Sequence, residues 1–292
     1  MMESSAPHIP QATTVGGLAD WGIQPDAIEG QSETSGRLLW KREAAGEPMV
    51  RAGLWACTPG SWRWTMPGDE LCFYLAGRAT YTEHNGESIE VVPGTVVHFP
   101  SGWTGRCDVK QTLRVTYMLV AKPTAIDRGA SPVLRNPLGA GPLKDWGPVR
   151  TMIEGQSMTA GILLHKGPGG SCESGIWTCT PGFWNCHVTS DEFCHFIAGR
   201  CTYTHESGET IEIAPDTAAF FPKDWRGTCR VHETVRKVYM IRRLPLQPLR
   251  RRIMGLDPPL GPGLARNRVA IGATLGAGVI EQDPTTLNQP NR

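Results

Sequence analysis

Apolar residues in this chain come in short runs that stop at turn-forming residues. Leu71 to Leu75 stops at Ala76-Gly77, Ala79 to Thr82 leads into His84-Asn85-Gly86, Ser88 to Val92 stops at Pro93-Gly94, and Thr95 to Phe99 stops at Pro100. Runs this short, punctuated by Asn-Gly and Pro-Gly, predict β-strands joined by hairpins. The same rhythm returns further on, with stops at Gly199, Ser207-Gly208, Pro215-Asp216 and Pro222, and a last run from Val235 to Ile241. Several antiparallel strands at this spacing predict an all-β sandwich or small barrel.

The second set of strands is a copy of the first. Ala52 to Leu119 aligns with Ser174 to Ile241 without a gap, and close to half of the aligned residues are identical. Trp55, Cys57, Thr58, Pro59, Gly60 and Trp62 return as Trp177, Cys179, Thr180, Pro181, Gly182 and Trp184. Each unit runs to roughly a hundred residues, far beyond the ~20–50 of a stacked repeat, so each is a domain. The expected layout is a first domain over 1–121 with its barrel core at 52–119, a Pro/Gly-rich connector over 122–144, a second domain over 145–241 with its core at 174–241, and a tail over 242–292. Asp20-Trp21-Gly22 and Ile28 to Ser32 recur as Asp145-Trp146-Gly147 and Ile153 to Ser157, so the module starts upstream of its core.

Within each copy, Asp-Glu, an apolar strand, Ala-Gly-Arg, Gly-Glu, a proline turn, Phe-Pro and Trp-x-Gly follow in that order. This succession resembles a cupin domain, and within the cupins the small subfamily that includes ureidoglycine aminohydrolase-like domains. The resemblance covers about two thirds of the chain. It implies a bicupin of two tandem jelly-roll barrels, each with a ligand pocket at its mouth, and suggests C–N or related hydrolytic chemistry on a small polar metabolite.

Cupins bind a divalent metal through three histidines and a glutamate, and here the glutamate survives as Glu70 and Glu192. Counting back by the family spacing, the first-motif histidine positions hold Arg63 and Thr65 in one copy, Asn185 and His187 in the other; Gly105 and Gly227 stand at the second-motif histidine. A lone carboxylate competes poorly with water for a transition metal, so none is expected in the first barrel. The second barrel offers His187 and Glu192, a metal pair if a further ligand joins them.

Strand parity sets which side chains share a pocket with these carboxylates. Cys194 and Phe196 share the face of Glu192, and Tyr74 that of Glu70, while His195 points the other way, to a sheet or subunit contact. Trp184, Trp225 and Tyr203 are expected in the pocket wall with Asn185. The sequence therefore nominates Glu192 and His187 as a catalytic pair in the second barrel; the competing reading is a non-catalytic small-molecule-binding or scaffolding bicupin.

Composition narrows the setting. Net charge is +1 with 20% charged residues, which calls for no nucleic acid. No apolar run reaches a membrane span and Met1 to Val15 lacks a signal-like stretch, so a cytoplasmic protein is expected. Most of the nine cysteines are then read as reduced, buried core residues, with Cys57, Cys72 and Cys107 recurring in register as Cys179, Cys194 and Cys229, and Cys72 and Cys194 as the two that could be reactive. Arg250 to Arg252 reads as a solvated strap or an inter-domain contact, not as an RNA or phosphate site. The expected partners are a small molecule and, from the resemblance, a second copy in a homodimer.

Overall fold

The computed structural model describes residues 6–44, 47–121, 130–167 and 171–242; the arginine run at 250–252 and the rest of the tail lie outside them. The described residues form twenty strands and no helix, in two ten-stranded antiparallel barrels. In the first, β5 (Met49–Cys57), β6 (Gly60–Thr65), β7 (Gly68–Glu83), β8 (Ser88–Val91), β9 (Val96–Phe99) and β10 (Thr104–Ala121) make the core. Their counterparts are β15 (Cys172–Cys179), β16 (Gly182–Val188), β17 (Asp191–His205), β18 (Thr210–Ile213), β19 (Thr217–Phe221) and β20 (Trp225–Arg242).

The path β9-β7-β10-β5 of one barrel repeats as β19-β17-β20-β15 in the other, as a gapless alignment requires. Upstream, β2 (Ala19–Ile23), β3 (Ala27–Glu29) and β4 (Glu33–Arg42) recur as β12 (Lys144–Pro148), β13 (Met152–Glu154) and β14 (Met158–Lys166). The long strands bend where the recurring Ala-Gly-Arg sits. Gly77 (φ +87°) and Gly199 (φ +76°) lie in the left-handed region, and a Cβ on either would meet a carbonyl oxygen at 2.2 Å, Thr112 O or Thr234 O.

Two short strands tie the barrels into one body. β1 (His8–Ile9), which precedes the first barrel in sequence, pairs with β19 of the second. Arg114 Nε on β10 donates to Ala12 O at 2.7 Å, pinning that arm back on the first barrel. β11 (Val133–Arg135), inside the expected connector, is an edge strand of the first barrel on β9. A Pro/Gly-rich composition concealed it, because three residues carry little periodic signal.

A shared apolar layer joins the barrels: Val50, Leu54, Leu71, Phe73 and Met118 from one, Ile176, Phe193, Phe220, Val238 and Met240 from the other. Phe73 and His195 occupy aligned positions and stack on each other with centroids 4.5 Å apart, so they mark the pseudo-twofold axis. His195 is thus at the sheet–sheet contact, as parity indicates. Its Nδ1 is 3.2 Å from Thr116 Oγ1, and burial holds its pKa down to about 3. Below the ordinary histidine range, near pH 6.5, the unfolded chain takes up a proton that the folded chain refuses, so this residue makes stability fall as pH drops toward 3. Comparing wild type with His195→Phe in denaturant titrations at pH 7.5 and pH 5, we expect the variant to lose about 2 kcal/mol of the stability change between the two pH values. Identical slopes would contradict the assignment.

Candidate functional site in the first barrel

The site follows from which side chains the strands turn inward. On β6 and its continuation, Trp62 and Met66 are buried and Trp64 half-buried, whereas Arg63 and Thr65 are exposed. On β16, Trp184, Cys186 and Val188 are buried, Asn185 is exposed and His187 is partly exposed. The inward positions are therefore one residue away from those counted from the family spacing. His187 lies toward the rim, its Nε2 3.8 Å from Asp224 Oδ1, off the strand face that carries Trp184 and Cys186 into the core. Asn185 is held by its backbone, its N–H donating to Thr151 O at 2.9 Å.

In the second barrel the structure does bring together Glu192, Cys194, Phe196, Trp184, Tyr203 and Trp225, all of them buried. Tyr203 packs on Phe221 at 4.7 Å and Trp225 at 6.0 Å. Lys237 enters this interior where the first barrel has Val115. Its ammonium is 2.7 Å from Glu192 Oε1 and 4.8 Å from the centre of the Trp177 ring, and Cys194 Sγ donates to the same carboxylate oxygen at 3.2 Å. Burial works against this ammonium, but Cys194 and Glu192 beside it more than reverse that and raise its pKa. Tyr239 Oη donates to Glu173 Oε1 at 3.0 Å in the same barrel. The carboxylate that the sequence nominated for catalysis thus sits in an internal ion pair, apart from the face of His187.

The first barrel is open at the same place. A cavity of about 470 Å³ is bounded by Trp21, Trp55, Trp62, Trp64, Tyr74 and Tyr117, with Arg51, Glu70 and Cys72 supplying polar groups. Val115 leaves room where Lys237 fills the other barrel, and Arg51 stands where the other has Glu173. The exchange of Glu173 for Arg51 reverses the charge beside the recurring glutamate. Burial pushes the Glu70 carboxyl up to about 7, although Arg51 and Cys72 pull it down. Arg51 lies 5.7 Å from the Trp21 ring centre, and its Nε is buried without a hydrogen-bond partner. Trp62 Nε1 is another buried donor without one. Tyr74 and Tyr81 close the barrel floor with an Oη–Oη hydrogen bond of 2.9 Å.

Neither barrel interior has a donor set that fits the cupin metal. The inward positions beside the glutamates are Trp64 and Met66 in one barrel, Cys186 and Val188 in the other. At the second-motif position, a Cβ on Gly105 or Gly227 would meet Thr82 O at 2.6 Å or Thr204 O at 2.1 Å. No imidazole among the described residues faces Glu70 or Glu192, and the Lys237 ammonium occupies the latter's oxygen.

Sequence reasoning missed Arg51 and Lys237, while Trp64 and Cys186 stand out in it as a position where the two copies differ. A lysine alternating with Val235 and Tyr239 on an apolar strand was the available signal, since parity puts all three on one face. The nine cysteines are free and buried, in agreement with their reading as small core residues. No helix among the described residues is long and apolar enough to cross a membrane.

Comparison with known proteins agrees with this architecture. The model of the EutQ-like cupin domain matches twice, at residues 45–117 and 166–239. A comparison with curated proteins returned no match. Among solved structures, the chain is similar to a protein of unknown function of the DUF861 family from Pseudomonas syringae pv. tomato str. DC3000, with a TM-score of 0.67 and 16% identity over 82% of this chain and 100% of that one. It is also similar to the DUF861 protein Ylba from E. coli (TM-score 0.53, 10% identity, 83% and 92% covered) and to a cupin 2 conserved barrel domain protein from Leptotrichia buccalis (TM-score 0.51, 9% identity, 74% and 91% covered). At these identities the likeness is one of fold. With two matched segments that span half its length, the chain belongs to the family of EutQ-like cupin domains, and it is a bicupin.

Proposed function

We propose that this bicupin binds a small planar molecule bearing an acidic group in its first barrel, while the second barrel is a structural copy. The observation that carries this reading is the contrast at one aligned position. Val115 borders the cavity of the first barrel, whereas the aligned Lys237 is buried in an ion pair with Glu192. The volume of about 470 Å³ falls in the range of small-molecule sites, and an aromatic wall with a few convergent polar groups is their usual lining. Tryptophan faces stack on planar ligands; the unpartnered Nε of Arg51 supplies a donor for a carboxylate.

Glu70 makes binding depend on pH. A ligand carboxylate beside it favours its protonated form, which can donate a hydrogen bond; the ionised form repels the ligand. Affinity for an aromatic monocarboxylate such as indole-3-carboxylate should therefore fall as pH rises through about 7, the value to which burial pushes Glu70. Titration of the probe by tryptophan fluorescence at pH 6 and pH 8 checks this. We expect roughly tenfold weaker binding at the higher pH in wild type and little change in Glu70→Gln. The same pH dependence in both proteins would remove Glu70 from the site.

A group of this pKa could also serve as a general acid or base near neutrality, the specific observation that favours a catalytic variant of this reading. It would place any hydrolytic step at Glu70 in the first barrel. A rate lost in Glu70→Gln but kept in His187→Ala would mark it.

A further inference from the structure

The pseudo-twofold axis gives the barrel–barrel contact two equivalent corners, and their chemistry differs. At one corner Trp40 of the first barrel stacks on Phe220 of the second, centroids 5.1 Å apart. Beside this pair stand Val50, Ala52 and Asp191, whose carboxylate pairs with Arg42 and, at 3.5 Å, with Arg242. At the other corner His165 stacks on His98, centroids 4.0 Å apart. Cys172 replaces Val50, Ser174 replaces Ala52, and Asp69 is the counterpart of Asp191; Gly167 and Val120 occupy the positions of the two arginines. An apolar corner has become one of two imidazoles, a thiol and a carboxylate.

We propose that Asp69, His98, His165 and Cys172 form a structural zinc site that clamps the two barrels together. One donor atom from each lies within 4.8 Å of every other. Asp69 Oδ1 is 4.0 Å from His98 Nε2 and 3.8 Å from His165 Nε2. Zinc bonds of ~2.0–2.3 Å need donor separations of roughly 3.5 Å, so small side-chain rotations complete a tetrahedron. The donor types select the metal: two imidazoles, a thiolate and a carboxylate suit Zn²⁺, whereas Mg²⁺ and Ca²⁺ take all-oxygen sets. With thiolate and carboxylate both ionised the loaded site is electrically neutral, which suits its burial: Asp69, His98 and Cys172 have no exposed surface.

Positioning groups are in place. Ser174 Oγ is 2.9 Å from His98 Nδ1, so it can accept the Nδ1 proton and leave the Nε2 lone pair facing Asp69. The Ser101 amide donates to Asp69 Oδ1 at 3.0 Å and orients that carboxylate. Two ligands come from each barrel, Asp69 and His98 from the first, His165 and Cys172 from the second. Metal binding therefore couples the barrels, which a site inside either one would not do.

The test uses the full chain, purified without chelator and loaded with Zn²⁺ or Co²⁺. We expect one metal per chain, a higher Tm in its presence, and for cobalt a near-ultraviolet thiolate charge-transfer band that disappears in Cys172→Ser. The paired substitution His98→Phe with His165→Trp copies the opposite corner and so preserves the packing. It should keep the fold yet weaken metal binding by about 100-fold or more. Glu70→Gln should bind metal as wild type does, which separates this site from the ligand cavity. Failure of the full chain to take up either metal, undiminished uptake by the paired variant, or a cobalt spectrum indifferent to Cys172→Ser would each overturn the proposal.

Discussion

Val115→Lys is expected to abolish ligand binding in the first barrel while leaving the protein folded. Val115 is buried at the cavity wall, and its counterpart Lys237 reaches the Glu192 carboxylate at 2.7 Å. A lysine at 115 has the same backbone register toward Glu70, because β10 pairs β7 as β20 pairs β17. The new side chain would fill space that the ligand needs and claim the carboxylate that the ligand meets. We expect affinity for indole-3-carboxylate to fall at least about 100-fold, about 2.7 kcal/mol. Among the described residues, the local charge that opposes the new ammonium is Arg51. Adding Arg51→Glu completes the charge set of the second barrel and should restore any Tm lost, without restoring binding. Calorimetric titration and thermal melts check both; wild-type affinity in Val115→Lys would rule out the cavity.

The second large effect is on stability. Lys237→Met leaves Glu192 in a buried position without the ammonium that now neutralises it. Breaking one side of a buried pair costs about 3–5 kcal/mol, whereas replacing both sides with neutral groups is often close to harmless. Lys237→Met should therefore lower Tm by roughly 10 °C, and adding Glu192→Gln should recover most of that loss. The Glu192→Gln substitution alone strands the lysine and should also destabilise. Additive losses in the double variant would mean that the two residues do not act as a pair. Glu70 behaves in the opposite way, since burial raises its pKa to about 7 despite Arg51, and its removal should raise stability above pH 7, not lower it.

The fold was open to reading because it rested on redundant signals. Turn residues recurred at matched positions, and two copies of one pattern had to share one topology. The site was only half legible. Tyr74, Cys194 and Phe196 follow by parity from the glutamates, which the cupin motif marks, and the tryptophans follow from their recurrence in register. His187 and Asn185 were placed by a loop count from a family motif, and one residue of slippage on β16 turns every side chain to the opposite face. The recurring Trp62 and Trp184 mark the inward phase of that strand, which puts Trp64 and Cys186, a pair that differs between the copies, on the inward face. Arg51 and Glu173 stand one residue before the gapless span from Ala52 and Ser174, so that span does not contain the charge reversal between the barrels. The corner of His98, His165 and Cys172 lies beyond any single-strand argument, because its residues meet only when two barrels pack.

The central claim is that the first barrel takes the ligand and the second supplies its own occupant in Lys237. A crystal grown with 4-bromobenzoate and measured at the bromine absorption edge tests it most directly. The account predicts an anomalous peak inside the first barrel, between Arg51, Glu70 and Trp64, with nothing at Glu192. A bromine peak beside Glu192 and none in the first barrel would contradict it.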